Sequence, residues 1–495
     1  MPRLLSKNIK MLLSSIKKLS KDSIIYGISG GITQLIGLIL LPILTRIFTP
    51  SDYGVIDIIT TFISIIMVFL MLGLNSATQR LYFDSDDETY KQKIVSTSFW
   101  FLIIFTIICS LLLYFFSNQI SLMLFNDYEY SNLIKLAIIT LPLTSILVFG
   151  KDNLRLLFSP WKYNFLTLGN TLIRVILVIY LVIVLKRGLE GNFEAAIYAG
   201  IIGALYAIYL SRKLIRKYFS FDLLKKLLTY GIPLTFAGLA YWVISFSDRL
   251  ILVKLSNLEE VGLYSVGNRI SSALMLITSA FSLAWSPFIF ALHKEGKEKN
   301  IIIKTLTYYT LLLLFLSLLI SIFSPELLLI ITTSDYLDAS QVVGYLTIGL
   351  SILGLSSILA TGLTLVKKTK YITISSIIAA CLNILFNFIL IPYYGMKGAA
   401  IATLISYVSL CILYYYFSNK FYKIKYDTIK IIKILSIFAL FIYFGSIINI
   451  ENIYKSISLK LILIIISIIF LFIFKIFDKN EINFIKKIIN KFIKK

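Results

Sequence analysis

Fourteen stretches of this 495-residue sequence are long and apolar enough to cross a lipid bilayer as helices. A helix needs about 20 apolar residues to span a hydrocarbon core of about 30 Å. Hydrophobic residues make up 58% of the chain and the mean hydropathy is +0.88, which a soluble domain of this length would not reach. The stretches are residues 23–45, 53–74, 94–116, 135–150, 165–185, 195–210, 230–253, 261–281, 301–323, 343–366, 371–391, 396–417, 428–448 and 458–474. The sequence therefore predicts an all-α integral membrane protein with about 14 transmembrane helices.

The positive charges predict how these spans are oriented. The net charge is +23, and lysine and arginine collect in alternate connections, as cytoplasmic loops do. The connection 211–226 holds six basic residues, whereas 117–133 and 324–342 hold none. This distribution argues against a nucleic-acid partner. It predicts a multi-pass protein of the cell inner (cytoplasmic) membrane with both termini in the cytoplasm.

Both ends of the chain are predicted to lie on the membrane surface. Residues 477–495 form a basic cytoplasmic tail in which isoleucines and Phe492 share one helix face and lysines the other, as in interfacial helices that bind anionic lipid. Residues 1–22 form an amphipathic cytoplasmic segment. They are not a secretory signal, because lysines interrupt the apolar residues.

A weak internal repeat divides the spans into two groups of six. Gly27 and Gly54 lie at the entrances of the first two spans, and Gly231 and Gly262 lie at the entrances of spans seven and eight. An offset of six spans gives both copies the same orientation, which predicts a parallel repeat with the substrate site between two lobes. The predicted domains are an N-lobe at 23–212, a C-lobe at 213–420, and two further spans at 421–476 assigned to packing or lipid contact.

Five charged residues inside the predicted spans are candidates for a functional role, because a charge deep in the bilayer costs about 2.5–3.5 kcal/mol on insertion scales. They are Arg174, Arg249, Arg269, Asp57 and Asp248. One interpretation is structural, with Asp57 neutralising Arg249 or Arg269; Asp248 and Arg249 are adjacent and need not pair with each other. Three arginines exceed two aspartates, however, and an excess of cation inside a bundle indicates a cavity that receives an anion. Arginine suits phosphate because its planar fork bonds two oxygens at once.

Uncharged polar residues inside the spans complete the candidate binding site. Gln34 lies in span one, Asn170 in span five, and Asn383 and Asn387 lie four residues apart on one face of span eleven. The alternative is that the asparagines only form hydrogen bonds between helices. No cofactor or metal is expected, because the chain has no phosphate-binding Walker A pattern and a single histidine.

Several short segments resemble polysaccharide transporters, the O-antigen flippase family of the multidrug/oligosaccharidyl-lipid/polysaccharide exporter superfamily. The resemblance covers residues 20 to 420 approximately. The segments are Thr49-Pro50-Ser51-Asp52-Tyr53-Gly54, Tyr230-Gly231-Ile232-Pro233-Leu234, Asp248-Arg249-Leu250, Glu260-Val261-Gly262-Leu263-Tyr264-Ser265 and residues 394–403.

The resemblance implies two six-helix lobes of MATE type around a cationic cavity. It also implies a flippase, not an enzyme, that carries an undecaprenyl-pyrophosphate-linked oligosaccharide of O-antigen, capsule or related polysaccharide to the outer leaflet by alternating access. Expected partners are this polyprenyl-pyrophosphate-linked glycan, membrane lipids, a coupling H⁺ or Na⁺, and a polysaccharide polymerase with glycosyltransferases.

Three alternatives remain open at this point. A MATE-type multidrug/cation antiporter relies on acidic groups in its first lobe, but span one has none and Asp57 is the only deep carboxylate there. A lipid II flippase is a close relative that the sequence excludes poorly. A membrane glycosyltransferase or polymerase is less favoured, because the outer connections are short and their acidic residues are scattered.

Overall fold

The structure is a computed structural model that describes residues 25, 27, 29–293, 298–448 and 453–477. All regular secondary structure within these ranges is helical, which confirms the all-α class. The predicted amphipathic segment 1–22 and the basic tail 477–495 lie outside these ranges, apart from residue 477.

The helices are numbered in chain order. Their bounds are α1 Ser29–Leu44, α2 Pro50–Met71, α3 Leu74–Tyr82, α4 Glu88–Phe115, α5 Ser117–Phe125, α6 Ser131–Leu156, α7 Pro160–Val178, α8 Gly188–Ser211, α9 Phe221–Leu255, α10 Leu258–Ser271, α11 Leu274–His293, α12 Glu298–Ile322, α13 Ser324–Ile331, α14 Ser340–Leu359, α15 Thr361–Leu365, α16 Lys370–Phe421, α17 Thr428–Ile447 and α18 Ile453–Ile473. A π-helical turn, Ile179–Val184, extends α7, and a 3₁₀ helix, Ser334–Ala339, precedes α14.

Eleven helical segments of the described chain are long and apolar enough to cross a membrane, and α10 with α11 makes a twelfth. The apolar helix α1 is shorter, and α16 counts once although its backbone is not helical at Gly395. The multi-pass membrane fold is therefore confirmed, and the number fourteen stays a prediction.

The eighth predicted span, 261–281, is bent and does not form a single straight helix. It consists of the end of α10 and the start of α11, which meet at an angle of 48°. At the break, the Ser271 hydroxyl donates to the Gly267 carbonyl at 2.8 Å and the Ser272 hydroxyl donates to the Arg269 carbonyl at 2.6 Å. Such bonds from side chain to backbone compete with the helical ladder and bend helices.

Gly395 divides α16 into the two helices that the sequence predicts there. Its φ of 53° and ψ of −131° are not helical, and glycine adopts positive φ without steric cost. The Glu260 carboxylate accepts a hydrogen bond of 2.7 Å from the Met396 backbone N–H, and a Cβ on Gly395 would lie 2.2 Å from that carboxylate. Glu260 of α10 therefore caps the second helix of α16. Two of the segments that resemble polysaccharide transporters, 260–265 and 394–403, are thus in direct contact.

The family-like segment at residues 49–54 forms the start of α2. The Thr49 hydroxyl accepts from the Asp52 N–H at 3.2 Å, and the Asp52 carboxylate accepts from the Thr49 N–H at 3.0 Å. Pro50 occupies the first helical position, where its missing N–H has no cost. This reciprocal capping fixes where α2 begins.

Each half of the chain forms its own packed group of helices. In the first half α6 packs against α4 and α8, and α7 packs against α8. In the second half α14 packs against α12 and α16, and α16 packs against α9. The halves meet where α2 contacts α9 and α10 and where α3 contacts α9.

Two backbone contacts join the halves, and both require glycine. A Cβ on Gly54 would lie 2.1 Å from the Leu258 carbonyl oxygen, and one on Gly262 would lie 1.8 Å from the Pro50 carbonyl oxygen. Gly54 and Gly262 occupy equivalent positions in the two copies of the internal repeat, at the entrances of spans two and eight. Their contact lies at the start of α2.

The second contact lies beyond the other end of α2. A Cβ on Gly73 would lie 2.2 Å from the Gly231 carbonyl oxygen, and one on Gly231 would lie 2.4 Å from the Leu72 carbonyl oxygen. In this conformation the two halves therefore touch at both ends of α2.

The last two helices pack onto the second half. Phe438 and Ile442 of α17 pack in one apolar cluster with Leu318 of α12. Lys460 of α18 is 1% exposed, and its Nζ lies 2.5 Å from the carboxylate of Glu326 in α13. A buried ion pair thus holds α18 against α13.

Candidate functional site

The side chain of Arg249 in α9 joins the two halves of the protein. Its Nε lies 2.7 Å from Oδ2 of Asp57 in α2, and its Nη1 lies 3.0 Å from Oδ1 of the adjacent Asp248. Nη1 also donates to the Ser245 carbonyl at 2.9 Å. Arg249 is 4% exposed, so it is a buried arginine paired with two carboxylates.

The pairing of Asp248 with Arg249 corrects the view that these neighbours need not interact. The Asp248 carboxylate turns back along α9 and also accepts the Arg249 backbone N–H at 2.9 Å. Its other oxygen accepts hydrogen bonds from the Tyr264 hydroxyl and, at 3.3 Å, from the Thr403 hydroxyl. Asp57 likewise accepts from the Ser265 hydroxyl. Each carboxylate therefore accepts hydrogen bonds from Arg249 and from at least one hydroxyl group.

The arginines Arg174 and Arg269 differ from Arg249. Within the described residues neither has a carboxylate oxygen within 4.0 Å, and both are exposed. The two guanidinium groups are close enough to repel each other. Two like charges held together without a counterion inside a helical bundle favour the binding of an anion.

Small and aromatic residues of the first half position Arg269. A Cβ on Gly37 of α1 would lie 3.3 Å from Nη1 of Arg269, so the guanidinium lies directly against the backbone of α1. The Tyr53 side chain of α2 also lies near this guanidinium group. Arg269, on α10, therefore extends from the second half onto two helices of the first.

The asparagine pair of α16 forms hydrogen bonds within the second half. Asn387 Nδ2 donates to Asn383 Oδ1 at 3.0 Å, and the Ser247 hydroxyl of α9 donates to the same oxygen at 3.0 Å. Both asparagines are fully buried. This geometry matches the alternative in which the pair links helices, although Asn383 Nδ2 and Asn387 Oδ1 have no partner among the described residues.

Gln34 and Asn170 have no recorded partner for their side-chain oxygens in the described part of the chain. Asn170 of α7 packs against Gly203 of α8, where a Cβ would lie 2.3 Å from its Oδ1. Gln34 lies on α1 between the Gly37 contact and the start of the helix.

Sequence reasoning missed Tyr53, Tyr264, Ser265 and Thr403 as neighbours of the charged residues. All four lie in the segments that resemble polysaccharide transporters, but no single-sequence pattern distinguishes a hydroxyl that binds a carboxylate from one that bonds its own helix. The signal available was the clustering of hydroxyl groups in those segments.

Comparisons with known proteins agree with this architecture. A family described as "Polysaccharide biosynthesis protein" matches residues 43–341. The inward closed conformation of the lipid II flippase MurJ matches with a TM-score of 0.67 at 18% identity, covering 91% of this chain and 99% of that one. An inward-facing multidrug resistance MATE family transporter matches with a TM-score of 0.66 at 14% identity, covering 78% and 94%. These identities establish the fold alone.

Two curated relatives add sequence evidence. A putative O-antigen transporter of Shigella flexneri is 22% identical over 75% of this chain and 90% of its own length. An uncharacterized membrane protein of Methanocaldococcus jannaschii is 24% identical over 56% of this chain, which spans only 55% of that relative's length. Since the family match covers more than half of the sequence, this multi-pass membrane protein belongs to the polysaccharide biosynthesis protein family.

Proposed function

We propose that the protein is a flippase that carries a polyprenyl-diphosphate-linked oligosaccharide from the inner to the outer leaflet by alternating access. The observation that carries this proposal is the pair Arg174 and Arg269, which lie together without a carboxylate partner among the described residues. A diphosphate is an anion that two arginine forks can hold through several charge-assisted hydrogen bonds. The isoprenoid tail stays in lipid while the sugars cross between the lobes.

The membrane potential assists this movement. A potential of 100 mV contributes about 2.3 kcal/mol per elementary charge, with a sign that drives an anion outward from a negative interior. Coupling to H⁺ or Na⁺, cooperation with a polymerase and glycosyltransferases, and residence in the inner membrane with cytoplasmic termini belong to the same proposal.

Alternating access requires two lobes that separate at one end at a time. The proposed lobes are residues 23–212 and 213–420, with 421–476 as two additional helices. The contact between the repeat-related Gly54 and Gly262 supports a two-fold relation between the lobes, since equivalent positions meet near such an axis. The ion pair from Asp57 to Arg249 crosses the same boundary. Arg249 therefore holds the lobes together, and Arg174 and Arg269 bind the diphosphate.

The geometry ranks the alternatives. A cation antiporter needs a carboxylate free to bind its substrate, whereas Asp57 and Asp248 both engage Arg249 and hydroxyl donors. Lipid II carries the same diphosphate, so a lipid II flippase would use the same arginines. Measuring transport of lipid II and of a polyprenyl-diphosphate-linked oligosaccharide by the same protein would distinguish a lipid II flippase from the proposed flippase.

Replacing Arg269 by alanine tests the diphosphate site. Export of surface polysaccharide in a strain that lacks the native gene should fall at least tenfold, because hydrogen bonds to a charged group contribute about 1.5–3 kcal/mol. Arg269→Lys should restore part of the export, since lysine keeps the charge but lacks the fork. Arg187→Ala is the matched control, because Arg187 is half-exposed and pairs with Glu194 at 3.2 Å. Normal export by Arg269→Ala at equal membrane abundance would refute the proposal.

A further inference from the structure

Helix α7 has one polar face that lies opposite its most exposed apolar face. Phe165 and Ile176 are 68% and 64% exposed. With about 100° per residue, Thr167 and Arg174 lie opposite the exposed face that carries Phe165 and Ile176, and Asn164 lies about 100° from Phe165. A rise of 1.5 Å per residue separates Asn164 from Arg174 by about 15 Å along α7. Arg174 thus lies at one end of a polar strip.

Helix α1 presents a similar face. Gly30, Gln34 and Gly37 are spaced by four and three residues, so they share one side of the helix. Gly37 lies against the Arg269 guanidinium, whereas a Cβ on Gly30 would meet nothing within 4 Å. On this side of α1, Gln34 therefore lies between Gly37, which contacts Arg269, and Gly30, which has no neighbouring atoms beside it.

The start of α7 contacts the chain just before α1, and three side-chain oxygens of the two helices lack partners among the described residues. Asn164 Nδ2 donates to the Ile25 carbonyl at 2.7 Å, which joins the start of α7 to the residues before α1. Gln34 Oε1, Asn164 Oδ1 and Thr167 Oγ1 are buried and have no hydrogen-bond partner among the described residues. Buried polar atoms without a hydrogen-bond partner destabilise a protein, and each one in a native structure calls for an explanation.

We propose that Gln34, Asn164 and Thr167 form a sugar-binding subsite, the α1–α7 subsite, beside the arginine pair. This inference rests on the proposed function. Its chemical basis is that Gln34 Oε1 and Asn164 Oδ1 are amide oxygens, which only accept and therefore need a ligand that donates hydrogen bonds, whereas the Thr167 hydroxyl can donate or accept. A deprotonated diphosphate offers only acceptors and an isoprenoid tail offers neither, whereas sugar hydroxyls donate. The glycan accordingly lies along α7 on the Asn164 side of Arg174, toward the predicted cytoplasmic face.

The experiment compares two lipid probes on the purified full-length protein in nanodiscs. The probes are undecaprenyl diphosphate and undecaprenyl diphosphate-linked N-acetylglucosamine, with affinity measured by thermophoresis. Gln34→Met and Thr167→Val remove acceptors at nearly constant volume. Thr310→Val is the matched control, because the Thr310 hydroxyl is buried on α12 and donates to the Leu306 carbonyl at 2.7 Å.

The wild-type protein should bind the sugar-bearing lipid about tenfold more tightly than the bare lipid, the effect of one to two hydrogen bonds. Gln34→Met and Thr167→Val should abolish this difference by weakening the binding of the sugar-bearing lipid about tenfold, and should leave the melting temperature equal or higher. Thr310→Val should retain the difference.

Each failure has a separate meaning. Equal wild-type affinity for both probes, or equal loss of both in Gln34→Met and Thr167→Val, would overturn the α1–α7 subsite while the diphosphate site stands. If bare undecaprenyl diphosphate does not bind, or binds Arg269→Ala as well as wild type, the proposed function itself fails.

Discussion

Replacing Gly262 by alanine tests whether the contact between α2 and α10 keeps one end of the transport path closed. The new Cβ would lie 1.8 Å from the Pro50 carbonyl oxygen, and ordinary contact begins at 3.4 Å. The two backbones must therefore move apart by about 1.6 Å at this point. Neither neighbour can give way cheaply, because the obstructing atoms belong to the backbone at the start of α2.

The resulting shift in population can be estimated from this overlap. Overpacking of this kind costs about 1–3 kcal/mol, which changes the ratio of two conformations about 5- to 150-fold. The cost applies only to the conformation in which α2 and α10 touch. Opening this end also lengthens the 2.7 Å ion pair from Arg249 to Asp57, which lies one turn from Gly54. Gly262→Ala should therefore favour the conformation open at the predicted outer face.

Distances between spin labels measure the effect. Labels at Ser51 and Glu259, which are exposed at the starts of α2 and α10, are introduced into a cysteine-free background. Electron paramagnetic resonance should show a longer distance population in Gly262→Ala. Gly238→Ala on α9 is the control, since its Cβ would make only an ordinary contact of 3.7 Å. An unchanged distance distribution in Gly262→Ala would refute the argument that this contact closes the outer end.

Two further predictions concern topology and the last helix. Reporter fusions after Lys226 and Lys495 should read cytoplasmic and a fusion after Asp338 external, because the basic connections stay inside; an external signal at Lys495 would exclude an even number of spans. Lys460→Met should lower the free energy of unfolding by about 3–5 kcal/mol, because it leaves Glu326 buried without its partner. Adding Glu326→Gln should restore most of the melting temperature measured in detergent, and no recovery would show that the ion pair is not the cause.

The sequence alone predicted the membrane fold because bilayer physics acts on each segment separately. A spanning segment must be apolar and must satisfy its own backbone hydrogen bonds, so local composition is sufficient to identify helices. The same rule identified Arg174, Arg249, Arg269, Asp57 and Asp248, since a charge inside an apolar segment is costly wherever the helix lies. The family resemblance rested on short segments whose residues turned out to form caps and contacts between helices.

Only the tertiary structure decided which of these charges are partners. Asp57 and Arg249 lie on helices that are far apart in the chain, and their 2.7 Å contact depends on how α2 packs against α9. That packing is what distinguishes the engaged Arg249 from Arg174 and Arg269. Lys460 was missed for the same reason, because hydropathy averages over a segment and carries no information about the Glu326 carboxylate that lies beside it in space. Helix formation is governed by local composition, whereas pairing depends on distances across the bundle that only packing sets.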